Sequence, residues 1–127
     1  MSTIELAKEY IARKHYKVLE EVSDMSHIAF RYQLNTIHLW QDKEDKQFLK
    51  LDLILALDVT EKNFAHVKDV CQNLNSECKM VKFYVHNEIL LATVEIFYVE
   101  KTDFMFHIKN ALDHLVAAKV EYQKLKE

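Results

Sequence analysis

A chain of 127 residues with no glycine and no proline must build every turn and helix end from residues that resist left-handed backbone. The same restriction removes chemistry. Phosphate-cradling loops and dinucleotide-binding turns need glycine where the backbone reaches positive φ or approaches a ligand closely. A nucleophile elbow needs small residues around its serine for the same reason. None of these forms here in its usual shape, and no recognisable reactive centre replaces them.

The length suits one domain over residues 1–127. A chain of this size buries about two-thirds of its unfolded surface, enough for a core without staples. Half the residues are hydrophobic and 29% are charged, which is globular composition. The formal charge of −3, from 17 basic and 20 acidic residues, argues against nucleic acid, whose affinity comes mainly from a basic footprint. Cys71 and Cys78 match neither redox nor zinc spacing and read as free thiols in a reducing compartment. The first twenty residues interleave Glu5, Glu9, Arg13, Lys14 and Lys17 with apolar positions, unlike a secretory leader. No run approaches the roughly 18 apolar residues that span a bilayer. The expectation is a cytoplasmic protein that binds no membrane.

Periodicity predicts the elements. Ser2 or Thr3 caps a first helix that Ile4, Ala7, Ile11, Val18 and Val22 carry to about Val22, across an interruption at Lys14. Ser23 to His27 is a polar connection. Ile28, Phe30, Tyr32 and Leu34 alternate in a strand, and Ile37 and Leu39 alternate with His38 and Trp40 in the next. Leu34 to Thr36 is the expected turn, with Asn35 taking the left-handed backbone. Residues 42–46 form a charged, solvated loop. Leu49, Leu51, Leu53, Leu55 and Leu57 face one way along the third strand, and Lys50, Asp52, Ile54 and Ala56 face the other. Asp58 with Glu61, or Thr60, caps a second helix bearing Phe64, Val67, Val70, Cys71 and Leu74 and ending near Asn75 or Ser76. Met80–Val85 and Ile89–Val99 form a hairpin around His86, Asn87 and Glu88, and Thr102 caps a long last helix. The element order is αβββαββα: an α+β domain with an antiparallel sheet and its helices packed on one face.

This order over nearly the whole chain resembles the YbjN-like proteins, which share a fold with bacterial type III secretion chaperones. The likeness is carried by Phe30-Arg31-Tyr32, Gln47-Phe48-Leu49-Lys50-Leu51, Asn73-Leu74-Asn75, Lys82-Phe83-Tyr84-Val85 and Ala111-Leu112-Asp113-His114-Leu115. It brings no catalytic motif. It implies a small, often dimeric, non-enzymatic bacterial protein that binds or regulates other proteins. The chain departs from the group in lacking glycine in its sheet turns.

Seven histidines raise the question of a metal. Asp103, His107 and His114 lie roughly on one side of the last helix, but one-turn ligand pairs of the HExxH or ExxH kind are missing, so no metal is expected. His66 and Cys71 are five residues apart, about 140° around a helix, and cannot form a nucleophilic pair. Glu95 is a site candidate only if its sheet face is covered; otherwise cross-strand pairing with Lys50 or Lys82 accounts for it.

The remaining signal is apolar. Trp40, Tyr84 and Phe97 share the outer sheet face with Ile54, Ile89 and Leu91, more than a face left in water carries. A homodimer or the first helix would cover it, and a groove for a peptide or apolar ligand would use it; dimerisation is favoured, because symmetric dimers are the commonest oligomers. Trp40, Ile54, Tyr84 and Phe97 are therefore the expected partner-contact residues. The reading is a homodimeric, non-enzymatic protein-binding domain without cofactor, chaperone-like or a regulatory adaptor, whose other partner is a client protein or peptide. The alternative is a small-ligand-binding protein or weak enzyme with a pocket between sheet and long helix, lined by Glu95, Tyr84 or His107. A third reading is a structural subunit of a larger assembly.

Overall fold

A computed structural model describes residues 2–22, 26–98 and 100–126. Part of the connection predicted over 23–27, and Val99 at the predicted end of the last strand, lie outside those residues. The elements are α1 (Thr3–Arg13), β1 (Val18–Glu21), β2 (His27–Tyr32), β3 (Asn35–Gln41), β4 (Phe48–Ala56), α2 (Phe64–Glu77), β5 (Lys82–His86), β6 (Ile89–Phe97) and α3 (Lys101–Lys126). The strands form one six-stranded antiparallel sheet in the order β1-β2-β3-β4-β6-β5. The α+β class, the antiparallel sheet and the run of two strands between the second and third helices are as the periodicity predicts.

The difference lies at the start. The first helix stops at Arg13, well short of Val22. His15 takes φ 59°. Its N–H donates to the Ala12 carbonyl at 3.2 Å and the Tyr16 N–H to the Ile11 carbonyl at 3.1 Å. That is a Schellman ending, with histidine where glycine usually stands. The chain then turns back as β1, antiparallel to β2, with a bulge between Val18 and Glu20. Val18 and Val22, which continue the helical stripe on paper, are in fact exposed.

Both tight hairpins also use ordinary residues in left-handed backbone. Gln33 and Leu34, at φ 49° and 68°, connect β2 to β3; Asn87 and Glu88, at 50° and 66°, connect β5 to β6. Positive φ at both central positions is the I′ geometry that matches strand twist. The second turn falls where predicted. The first falls one residue earlier than predicted: Asn35 is already in β3, opposite Tyr32, and its amide donates to the Gln33 carbonyl at 2.9 Å.

The core lies between one sheet face and the three helices. Phe30, Ile37, Leu39, Leu49, Leu51, Leu90 and Ala92 are fully buried there, against Leu6 and Ala7 of α1, Leu74 of α2 and Phe104, Ile108, Leu112 and Leu115 of α3. The Leu stripe of β4 breaks at a bulge between Ile54 and Ala56, which leaves Leu57 in solvent. The predicted caps of α2 are replaced: Asn63 precedes the helix, and its side chain accepts from the Thr60 N–H at 2.7 Å and donates to the Asp58 carbonyl at 3.0 Å. Thr102 lies inside the first turn of α3. Tyr32 donates to Asp113 at 2.6 Å and so ties α3 to β2.

Candidate functional site

Alternation along each strand sends every second residue to the face that no helix covers. Register then fixes the rows. Across β2, β3, β4 and β6, His27 faces Trp40, Trp40 faces Lys50, and Lys50 faces Glu95. One row further, Ala29 faces His38, His38 faces Asp52, Asp52 faces Thr93, and Thr93 faces Lys82 on β5. In the next row Ile54 faces Leu91 and Leu91 faces Tyr84. The face is therefore a polar band flanked by apolar side chains.

The polar band is internally satisfied. Thr93 donates to the Asp52 carboxylate at 2.6 Å, and both residues are buried. The Tyr84 hydroxyl lies 3.4 Å from the same Thr93 oxygen, and the Lys50 ammonium is 3.8 Å from the other Asp52 oxygen. His27 and His38 hydrogen-bond through Nε2 and Nδ1 at 3.0 Å, and Trp40 stacks on His27 at 3.9 Å between ring centres. Burial, followed by the neighbouring His38, pushes the His27 imidazole below its ordinary pKa, against the pull of Glu20 and Asp52.

Three of the four expected contact residues meet here. Trp40, Ile54 and Tyr84, with Ile89 and Leu91, line an open basin of about 450 Å³ whose polar members are His38, Lys50, Asp52 and His86. Phe97 stands apart, opposite Phe48 and beyond the Lys50–Glu95 row, and is 52% exposed. The first helix does not cover this face: Thr3 of α1 bonds to Gln41 and to the Phe48 carbonyl on the core side. Glu95 is exposed and 3.4 Å from Lys82, the ordinary cross-strand pairing. His27, His38 and Asp52 are the members that sequence reasoning missed. Their signal was register, and a hairpin turn placed one residue late hides it.

The two sheet edges differ. On β5 the Asn75 side chain of α2 occupies the outer hydrogen-bonding positions of Phe83, accepting from its N–H at 2.7 Å and donating to its carbonyl at 2.9 Å. All of β1 is exposed, with apolar Val18 and Leu19.

Other candidates do not assemble. A cavity of about 240 Å³ does lie between the end of β4, α2 and the end of α3, but it is lined by residues such as Leu55, Val67, Leu90 and Tyr122, and by none of Glu95, Tyr84 or His107. It falls below the usual size of a ligand pocket, about 300 Å³ and upward. Burial raises the Cys71 thiol, the reverse of what a nucleophile needs, and also raises Cys78 beside Glu121 and Glu77. His114 bonds to the Asn110 carbonyl at 2.8 Å. Among the described residues no three of His, Cys, Asp or Glu are grouped to hold a metal, and no helix is long and apolar enough to cross a membrane.

No protein-family model matches the chain, and no curated protein sequence matches it. Solved structures do. YbjN of E. coli, described as a proposed transcription regulator, superposes with a TM-score of 0.73 at 7% identity, over 97% of this chain and 92% of YbjN. An uncharacterised protein of Methanothermobacter thermautotrophicus gives 0.60 at 18% identity, over 96% and 97%. The type III secretion chaperone SycH of Yersinia pestis, solved with a stable fragment of YscM2, gives 0.60 at 15% identity, over 94% and 98%. At these identities the likeness concerns architecture, and across almost its whole length the chain has the fold shared by YbjN and the secretion chaperone SycH.

Proposed function

We propose that this chain is a non-enzymatic protein-binding domain, a chaperone-like or regulatory adaptor, that works as a homodimer. The observation that carries the reading is the open sheet face: Trp40, Ile54, Tyr84 and Leu91 surround a basin that no helix covers. A two-fold contact brings the same patch from both copies, and this patch carries both charge signs at Lys50, Lys82 and Glu95. Burial of its aromatic and aliphatic side chains supplies the affinity, and the flanking charges fix the register. The shared fold with SycH, a chaperone solved with a fragment of another protein, supports a client as the second partner. The exposed β1 edge suits an extended client segment, because β5 is already capped by Asn75. Free Cys71 and Cys78 suit a reducing cytoplasm.

Sedimentation of the purified chain tests the dimer. The wild type is expected to sediment as a dimer at micromolar concentration, and Trp40→Ala combined with Tyr84→Ala as a folded monomer. A wild type that stays monomeric at all accessible concentrations rejects the reading. Phe97→Glu, lying outside the basin, is expected to weaken association less than the double change does.

A further inference from the structure

His38 lines the basin, and His27, stacked on Trp40 beside it, forms with His38 a pair that the proposed binding does not use. His27 Nε2 and His38 Nδ1 are 3.0 Å apart, the ring planes lie within 6° of each other, and the ring centres are 5.3 Å apart. The rings thus meet edge to edge, each nitrogen aimed at the other. One nitrogen must donate and the other accept. Lone pairs aimed at each other do not converge on a metal ion; they hold a single proton between them.

Such a pair has a definite proton capacity. In the neutral pair one N–H bridges the two rings. One added proton settles on the outer nitrogen of the donor ring, giving an imidazolium that still donates to a neutral imidazole, a charge-assisted bond. A second added proton must occupy the accepting nitrogen. Two N–H groups then point at each other across 3.0 Å, with a positive charge on each ring, and the pair opens. Trp40 is coupled to this event, because it faces His27 in register and stacks on it at 3.9 Å.

The charged surroundings set the sign. From β1, Glu20 favours protonation of His27; from β4, Asp52 does the same and is the register partner of His38. Lys50 of β4 lies opposite Trp40 and within 3.8 Å of Asp52, with Glu95 of β6 beyond it, and Arg31 stands further along β2. The two carboxylates nearest the pair admit the first proton. His27 is itself buried on this face, and a doubly charged pair would have to lose still more water under a partner. A histidine held low in the folded state contributes stability that is complete above the ordinary histidine range and is lost as pH falls below it.

We infer that His27 and His38 form an acid-sensitive latch that holds Trp40 in the binding face, so that taking up a second proton opens the pair and releases the second copy of the chain bound there. The inference rests on the proposed use of this face. With the pair closed, Trp40 keeps its stacking partner; under acid the face carries paired positive charges and a Trp40 without that partner.

The test separates the latch from the face. Trp40 is the only tryptophan, so its emission reports directly on the stack. The purified full-length chain is titrated from about pH 8 to about pH 5 while emission and sedimentation are followed. The expected result is an emission transition below the ordinary histidine range, with dimer dissociation over the same interval. If each copy takes up one proton on release, the dissociation constant rises about a hundredfold per pH unit below the transition. His38→Gln, which keeps an acceptor but cannot be charged, is expected to abolish the emission transition and, whatever its dissociation constant at neutral pH, to remove the acid-dependent rise in that constant. Far-ultraviolet dichroism on the same samples distinguishes latch opening from unfolding. An unchanged Trp40 emission, or the same transition in His38→Gln, overturns the latch. A transition without dissociation, in a protein whose dimer Trp40→Ala still breaks, overturns control of binding while the face stands. A dimer indifferent to Trp40→Ala overturns the face itself.

Discussion

The two faces of the sheet are made by the same strands, from alternate residues, and they obey different rules. On the covered face Leu49, Leu51 and Leu53 meet α3 and α1, and nothing polar interrupts the central rows. On the open face the intervening Lys50, Asp52 and Ile54 meet solvent, each other and the side chains of β3 and β6. The covered face is specified by volume: any side chain that fills the space satisfies it. The open face is specified by pairing, because Asp52, Thr93, His27 and His38 are each placed by a particular partner. A folded domain requires the first kind of order. The second kind adds little to packing, and it lies on the uncovered surface where the proposed partner contact is placed.

That contrast can be broken experimentally. The largest effect should come from Leu51→Ala, which leaves a cavity in the covered face and is expected to cost about 3 kcal/mol of unfolding free energy in a denaturant titration. Ile54→Ala, three positions along the same strand on the open face, should cost under about 1 kcal/mol yet impair dimer formation. Equal losses of stability would mean that the two faces do not differ in kind. Asp52→Ala comes next, at about 2 kcal/mol, because the buried Thr93 hydroxyl loses its 2.6 Å acceptor and is left with only the Tyr84 hydroxyl at 3.4 Å; Asp52→Asn restores an acceptor and should recover most of the loss. If both substitutions behave alike, the Asp52–Thr93 bond is not what orders the polar band. The smallest effect is a gain. Leu34 is 86% exposed at φ 68°, so Leu34→Gly relieves left-handed strain without losing contacts. An increase of about 0.5–1 kcal/mol in thermal unfolding is expected, with association untouched on either face.

What the sequence disclosed follows from the same distinction. Period two identified the covered face along β4 as far as Leu53, where the bulge breaks the Leu stripe, because burial imposes a pattern that survives without knowledge of partners. The long last helix was equally plain. The end of α1 was hidden because His15 stands where glycine normally closes a helix, and the first hairpin turn because Gln33 and Leu34 stand where glycine or asparagine normally announces one. Losing the first hairpin turn by one residue slips the register of β2 against β3, and with it the meetings of His27 with Trp40 and of Ala29 with His38. Trp40, Ile54 and Tyr84 were legible as apolar outliers on a polar face. Phe97 was assigned by the same parity but sits too far along β6 to join them, a fact that depends on distance along the sheet and not on which side a residue faces.

The 26-residue helix α3 has a consequence for how the domain is made. Phe104, Ile108, Leu112 and Leu115, all fully buried, come after every strand in the chain. During synthesis, at about 5–20 residues per second, all six strands are translated before the helix that roofs them. The covered face is therefore completed last, by residues translated up to seconds after the final strand. Until α3 docks, the sheet lacks the cover that Phe104, Ile108, Leu112 and Leu115 provide, so the last segment translated decides when the fold can close.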